Sequence, residues 1–203
     1  MKKGQLYVIS GPSGTGKGSI CKEIINKHVG AELSVSMTTR KPRSGEVEGE
    51  NYYFVTENHF SEVLKEKGFL EFAEVYGSRY GTPKAPVLKA LDRGEDVILE
   101  IEMQGAMQVK KSFRGGIFIF ILPPSLKELE DRLRKRGTES EESISLRMSK
   151  TIEELSYIDK YDYYVINDDL DEASQNVASI MRAEHLKINE DTKHILDRII
   201  DNK

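Results

Sequence analysis

An apolar run, Leu6 to Ile9, leads into Gly11-Pro-Ser13-Gly14-Thr15-Gly16-Lys17-Gly18-Ser19, and helical periodicity follows from about Lys17 to Lys27. The spacing G-x-x-x-x-G-K between a strand and a helix is that of a phosphate-binding loop, and it commits this part of the chain to an α/β turn. The chemistry needs these residue types. Glycines let backbone N–H groups turn inward around a chain of phosphates, the helix N-terminus adds positive potential, and a lysine reaches the phosphate being transferred. Gly11, Ser13, Gly14, Thr15, Gly16, Lys17, Gly18 and Ser19 are therefore expected to hold a nucleotide, with Lys17 also catalytic. The hydroxyl residue that usually follows the lysine and contacts Mg2+ is Gly18 here, and Ser19 comes one position later. Mg2+ is the expected cofactor, with Ser19 a candidate contact and the nucleotide phosphates and water supplying much of the coordination. The loop fixes phosphoryl transfer or hydrolysis as the class of chemistry and leaves the substrate open.

The rest of the chain supports an α/β protein with a parallel sheet flanked by helices. Val97 to Ile101, Ile117 to Leu122 and Tyr163 to Ile166 are apolar or aromatic runs of strand length, rich in β-branched residues. Helix signals lie between them. Thr56 caps a helix with Phe60, Val63 and Leu64 on one face, and Gly68 stops it. Ser125 with Glu128 and Thr138 with Glu141 read as capping boxes, the second opening a helix through Ile144, Met148, Ile152 and Leu155. Asp169 caps a last core helix through Ala173, Val177, Ile180 and Met181. From about Val35 to Tyr80 the alternation breaks into short β-like segments, read as a small inserted β-rich lobe. The expected division is a core of about 1–34, 83–125 and 159–186, an inserted lobe of about 35–82, a helical lid of about 126–158, and a tail of 187–203. The tail's Ile195, Leu196, Ile199 and Ile200 have helical spacing, read as a docked terminal helix in preference to a partner-binding one.

Charge and composition exclude several classes. Among 203 residues, 30 Lys and Arg against 34 Asp and Glu leave a net charge of −4, which argues against bulk attraction to nucleic acid or an anionic membrane. The longest apolar run, Ile117 to Leu122, falls far short of the ~20 residues that span a bilayer, and the first residues lack a secretory pattern. Cys21 is the single cysteine, so no intrachain disulfide is possible, and four scattered histidines show no zinc spacing. A cytoplasmic protein is expected, without nucleic-acid or membrane partners. His28, His59, His185, His194 and Cys21 receive no functional assignment.

Arg40, Arg43 and Tyr52 lie close together in the lobe and suit one phosphate dianion, although on that segment alone a solvated basic turn is the better reading. The segments SGPSGTGKGS, SVSMTTRKPRSGEVEGENYYF, FLEFAEVYGSRYGTP, ILEIEMQGA, RLRKRGTESEESISLR and VINDDL occur in the order of one family. Over about Leu6 to Glu184 the chain resembles the guanylate kinases, phosphate-loop enzymes that phosphorylate GMP with ATP, and the Gly18-Ser19 loop is similar to a variant that family uses. The resemblance implies that Arg40, Arg43, Tyr52 and Tyr80 hold the GMP phosphate. Ser36, Glu71 and Thr82 would read the guanine, Glu100 would face the acceptor, and Glu102 would lie nearer the metal. It further implies a lid whose Arg132, Arg136 and Arg147 close on the phosphates, and a position at Asn167 and Asp168 that meets the adenine of ATP. Arg134 and Lys135 remain a solvated basic face. Direct phosphoryl transfer follows, with ADP and GDP as products, dGMP as a further acceptor, and movement of lobe and lid on binding. The rivals are an adenylate or thymidylate kinase, against which Glu71 argues, and a peptide-binding scaffold domain, which would lack an intact phosphate loop.

Overall fold

The computed structural model describes residues 3–27, 30–75, 77–135, 141–188 and 191–201. Its centre is β1 (Leu6–Ser10), every residue of which is buried. A strand buried on both faces reads as a continuous apolar run, and such strands belong in a parallel sheet covered by helices on both sides. Around β1 the chain builds a five-stranded sheet from β2 (Ala31–Leu33), β7 (Asp96–Glu100), β8 (Ile117–Leu122) and β9 (Tyr163–Ile166), in the order β2-β7-β1-β8-β9. All its pairings are parallel.

Strand alternation divides the core in two. Tyr7 and Ile9 point to one face, where they meet Ile20, Cys21 and Ile24 of α1 (Lys17–Lys27) and Ala173, Val177 and Met181 of α7 (Leu170–His185). Leu6 and Val8 point to the other, against Val87, Ala90 and Leu91 of α3 (Lys84–Arg93) and Ala106 and Val109 of α4 (Met103–Ser112). The fold is a parallel sheet flanked by helices, of the P-loop NTPase type. Among the described residues no helix is long and apolar enough to cross a membrane.

A second sheet forms between β2 and α3. Its strands β3 (Met37–Thr38), β4 (Tyr53–Phe54), β5 (Phe69–Val75) and β6 (Ser78–Pro83) run in the order β4-β3-β6-β5. The helix α2 (Glu57–Lys65) belongs to this unit, with Phe60 stacked on Phe69 at 4.5 Å between ring centroids. Arg79 lies over the Phe60 ring and pairs with Glu57. The helices α5 (Leu126–Lys135) and α6 (Glu141–Leu155) follow β8 and lie against the loop after β1. The helix α8 (Asp191–Asp201) ends the described chain.

Several local expectations are refined. Thr56 caps α2 by accepting the His59 N–H, as anticipated, but the residue that turns left-handed at its end is Lys67, at φ 55°. Lys67 N–H reaches the Leu64 carbonyl and Gly68 N–H the Val63 carbonyl, a Schellman closure with lysine where glycine is usual. Gly68 is needed one step later, because a Cβ there would stand 2.8 Å from Val63 Cγ1. Ser125 accepts the Glu128 N–H, but the Glu128 carboxylate accepts from Arg132 instead of closing the box. Thr138 lies outside the described residues. In α6 the buried position is Thr151 rather than Ile152, which is 61% exposed. The row that faces inward runs through 144, 148, 151 and 155, and Ile152 lies about 70° from its centre. The tail stripe is also corrected: Leu196, Ile199 and Ile200 of α8 are exposed, none of them joins either core cluster, and the Ile195 side chain lies outside the described residues. The elements β2, α3 and α4 were not anticipated.

The α2 closure makes opposite predictions for two adjacent residues. Lys67→Gly removes a left-handed penalty and should stabilise the protein by about 0.5–1 kcal/mol. Gly68→Ala should destabilise it by a similar or larger amount through the Val63 overlap. Urea midpoints for the two variants should move in opposite directions; movement in the same direction would contradict this closure.

Candidate active site

The loop after β1 depends on glycine where neighbours come close. Gly11 has φ 144°, and a Cβ there would overlap the Ile121 carbonyl oxygen of β8. Gly16 has φ 86°, and a Cβ there would overlap the Asn167 side-chain amide. That amide, at the end of β9, donates to the Thr15 carbonyl at 2.7 Å and so fixes the loop from outside. Thr15 Oγ1 donates to the Pro12 carbonyl at 2.9 Å. Gly14 sits against the Leu129 and Leu133 side chains of α5, while Gly18 and Ser19 open α1.

Lys17 lies beneath this loop. Its Nζ donates to the carbonyls of Gly11 at 2.7 Å and Pro12 at 3.0 Å. Burial lowers its pKa, and the carboxylates of Glu100, Glu154 and Glu102 oppose that shift. Glu100 ends β7, where the register sets it beside Ile9 of β1, and its carboxylate lies against Gly18. Burial raises the Glu100 pKa, with Lys17 and Lys22 opposing. Glu154, from α6, is a member of this cluster that the sequence reading missed, and its pKa too is raised by burial.

Beyond Glu100 a cavity of about 250 Å³ opens between the two sheets, and Ser36, Tyr52, Glu71, Tyr80, Glu100 and Glu102 line it. Glu71 is 6% exposed. A register irregularity between Phe69 and Glu71 sets this residue opposite Thr82 on β6. Glu71 Oε1 accepts from the Thr82 backbone N–H at 3.1 Å and from Thr82 Oγ1 at 2.7 Å. Burial pushes the Glu71 carboxyl pKa up, against those two hydrogen bonds.

At the outer end of the cavity Arg40 presents its guanidinium fork to Glu46, with Nη2 2.8 Å from Oε1 and Nη1 3.0 Å from Oε2. Its Nε donates to Tyr80 Oη at 3.2 Å, and its Cζ lies 5.5 Å from the Tyr52 ring centroid. The Arg43 side chain is exposed, while its backbone N–H donates to Glu46 at 2.7 Å. Arg40 and that N–H hold the Glu46 carboxyl down at about 2. Glu46 was also missed by the sequence reading, although it lies six residues from Arg40 in the same segment.

Two of the three lid arginines can be located. Arg132 Nη1 donates to the Asn167 carbonyl at 2.9 Å, and Arg147 Nη1 donates to Ser13 Oγ at 2.6 Å. Arg136 lies outside the described residues. Arg134 is exposed and pairs with Glu130 and Glu141, and Lys135 is exposed. A smaller cavity of about 120 Å³ lies between the loop and α6, lined by Ser13, Glu102, Arg147, Lys150 and Glu154. Asp168 is exposed beside the buried Asn167. Among the described residues no cluster of three or more His, Cys, Asp or Glu forms a ready-made metal cage.

Comparison with known proteins bears on this arrangement. The family model described as guanylate kinase matches residues 3–184. A guanylate kinase of Caldanaerobacter subterraneus subsp. tengcongensis is 54% identical over 187 residues, covering 92% of this chain and 91% of its own. One from Clostridium tetani is 52% identical over 188 residues, covering 93% and 90%. The crystal structure of guanylate kinase from Anaplasma phagocytophilum superposes with a TM-score of 0.75 at 33% identity, covering 92% of this chain and 88% of that one. With a family match across most of its length and relatives above half identity, the chain belongs to the guanylate kinase family.

Proposed function

We propose that this chain transfers the γ-phosphoryl group of ATP to the phosphate of GMP, giving ADP and GDP, with dGMP as a further acceptor. The observation that carries the reading is Glu71, a buried carboxylate in the cavity that Glu100 shares, with Lys17 on the far side of Glu100. Guanine presents N1–H and its 2-amino group side by side, and a carboxylate accepts both. Adenine has an acceptor at N1 and no 2-amino group, so it would leave the buried charge unpaired. A site built around a required hydrogen bond rejects analogues lacking it by up to about 10⁴–10⁵-fold.

In this reading Ser36, Glu71 and Thr82 read the base, while Arg40, Arg43, Tyr52 and Tyr80 hold the GMP phosphate. Glu46 and Tyr80 already orient the Arg40 fork before substrate arrives. Gly11 to Ser19 cradle the ATP phosphates through backbone N–H groups, and Asn167 and Asp168 border the adenine side. The acceptor is already an anion, so the step needs no strong general base. Lys17, Arg132, Arg136 and Arg147 stabilise the charge of the phosphoryl group in flight. Closing the lid excludes water and protects ATP from hydrolysis.

Mg2+ fits the donor set, because Glu100, Glu102 and Ser19 offer hard oxygen ligands and Mg2+ is commonly held by one or two carboxylates plus substrate phosphates and water. When bound it would neutralise charge on the β- and γ-phosphates. Gly18 supplies no hydroxyl, so the protein's share of the coordination falls to those three residues.

Two measurements test the reading. ADP release from Mg-ATP should require GMP, should be far slower with AMP, dTMP or no acceptor, and should fall about 100-fold or more in Lys17→Ala. Equal release without an acceptor would contradict phosphoryl transfer to a nucleotide. The second uses the raised pKa of Glu71. The fold bears the cost of burying this charge fully above the raised value, and the cost is gone below the ordinary carboxylate value. Glu71→Gln should therefore melt at a higher temperature than the parent at pH 8, and the gap should close as the pH falls through that window. The same variant should lose its preference for guanine. A melting temperature that is lower at pH 8, with selectivity intact, would contradict the assignment.

A further inference from the structure

The edge strand of the second sheet is not left open. β5 lies at the end of the order β4-β3-β6-β5, so one row of its N–H and C=O groups faces away from the sheet. The helix α4 of the core packs along that edge. Residues 105, 108 and 112 recur at i, i+3 and i+7 and so share one side of α4. Gln108 behaves like a further strand: its Nε2 donates to the Phe72 carbonyl at 2.7 Å, and its Oε1 accepts the Phe72 N–H at 3.1 Å. Ser112 Oγ reaches the Leu70 carbonyl at 3.4 Å.

Between Leu70 and Phe72 stands Glu71, whose side chain meets the same helix at Gly105. A Cβ at position 105 would overlap Glu71 Oε2 and stand 3.1 Å from Glu71 Cδ. With Oε1 committed to Thr82, the carboxylate sits in a slot, bounded by Thr82 on one side and by the bare backbone of Gly105 on the other. Glycine near the start of a helix costs stability relative to alanine. That cost is offset by the room it leaves for the carboxylate.

We infer that Gly105 and Gln108 are positioning residues for the base-reading carboxylate, Gly105 by the space it leaves beside Glu71 and Gln108 by clasping the strand that carries it. The inference rests on the reading of Glu71 as the contact to guanine. Both residues act through Glu71: Gln108 holds the Phe72 backbone, and Gly105 sets how far the carboxylate can withdraw toward α4. A methyl group at 105 would push the carboxylate away from α4, and loss of the clasp would free β5 to slide along it. Either change spoils the paired reading of N1–H and the 2-amino group and leaves the ATP site alone. IMP, which keeps N1–H and lacks the amino group, reports on the difference.

The test is steady-state kinetics of the full chain with GMP, IMP and ATP each varied, for Gly105→Ala, Gln108→Leu, Glu71→Asp, Glu71→Gln and the double variant Gly105→Ala/Glu71→Asp. Gly105→Ala should raise the KM for GMP about tenfold or more, by the sensitivity of sites to misplacement of about 1 Å. Its KM for ATP should stay within about twofold, and its preference for GMP over IMP should shrink. Gln108→Leu, which keeps the volume and removes both hydrogen bonds, should move the same quantities in the same direction. It carries the test alone if Gly105→Ala does not fold. The double variant should lose less than the product of the single losses, because the shorter side chain vacates the space that the new methyl needs. Unchanged KM for GMP and unchanged GMP-to-IMP preference in both variants would overturn the inference, as would KM values for GMP and ATP that rise together. If Glu71→Gln itself leaves selectivity intact, the assignment of the base reader fails and this inference falls with it. If Glu71→Gln erodes selectivity while the α4 variants do not, only the inference about α4 fails.

Discussion

The charge on Lys17 is kept in surroundings that work against it, and much of the rest of the structure can be understood from how it is kept. Burial lowers the lysine pKa, carboxylates from three separate elements oppose the shift, and the backbone carbonyls of Gly11 and Pro12 accept hydrogen bonds from the ammonium. Glu100 ends a strand, Glu102 caps α4, and Glu154 comes from α6. Bringing them to one ammonium requires β7 beside β1 in a register that pairs Ile9 with Glu100, and α6 folded back over the loop. A parallel sheet with β1 at its centre meets the first requirement, because its C-terminal strand ends converge on one edge where such sheets bind ligands.

In the proposed function the same edge divides the work between two nucleotides. On the donor side Asn167 ties the loop, through Thr15, to the end of β9, and Arg132 in turn binds the Asn167 carbonyl. The loop, the last strand of the sheet and α5 thus form one hydrogen-bonded unit. On the acceptor side Tyr52, Tyr80 and Glu71 of the second unit line one cavity with Glu100, and Arg40 is bonded to Tyr80. Here α4 joins the halves: it begins at Glu102, beside the lysine cluster, and its flank carries Gly105 and Gln108 along β5. In that reading, base recognition and phosphate recognition are linked through one helix.

How much of this was legible follows from where each signal lies. β8, β9 and α1 run over the spans read from the sequence, because strands buried on both faces leave unbroken apolar runs and a phosphate loop announces the helix after it. Caps made by side chains, at Thr56 and Asp169, were readable for the same reason. α3 and α4 were not, since neither has a side chain bonded at its cap: Pro83 and Glu102 stand there. β2 is a three-residue edge strand with too little sequence to carry a period. Among functional candidates, Glu46, Glu154 and Gln108 acquire their meaning only from neighbours distant in the chain or across a turn. Gly105 becomes a signal only once α4 is known to be a helix, where an isolated glycine costs about 1 kcal/mol relative to alanine and usually has a packing reason.

The central claim is that two nucleotide sites of different base preference face one another across Lys17 and Glu100. A single ligand carrying both halves, adenosine and guanosine joined through their 5′ oxygens by a polyphosphate chain, tests it most directly by calorimetric titration. One molecule should bind per chain, more tightly than ATP or GMP alone by about 10²-fold or more, and both Lys17→Ala and Glu71→Gln should weaken it. Two molecules bound per chain, or affinity untouched by one of those substitutions, would contradict the account.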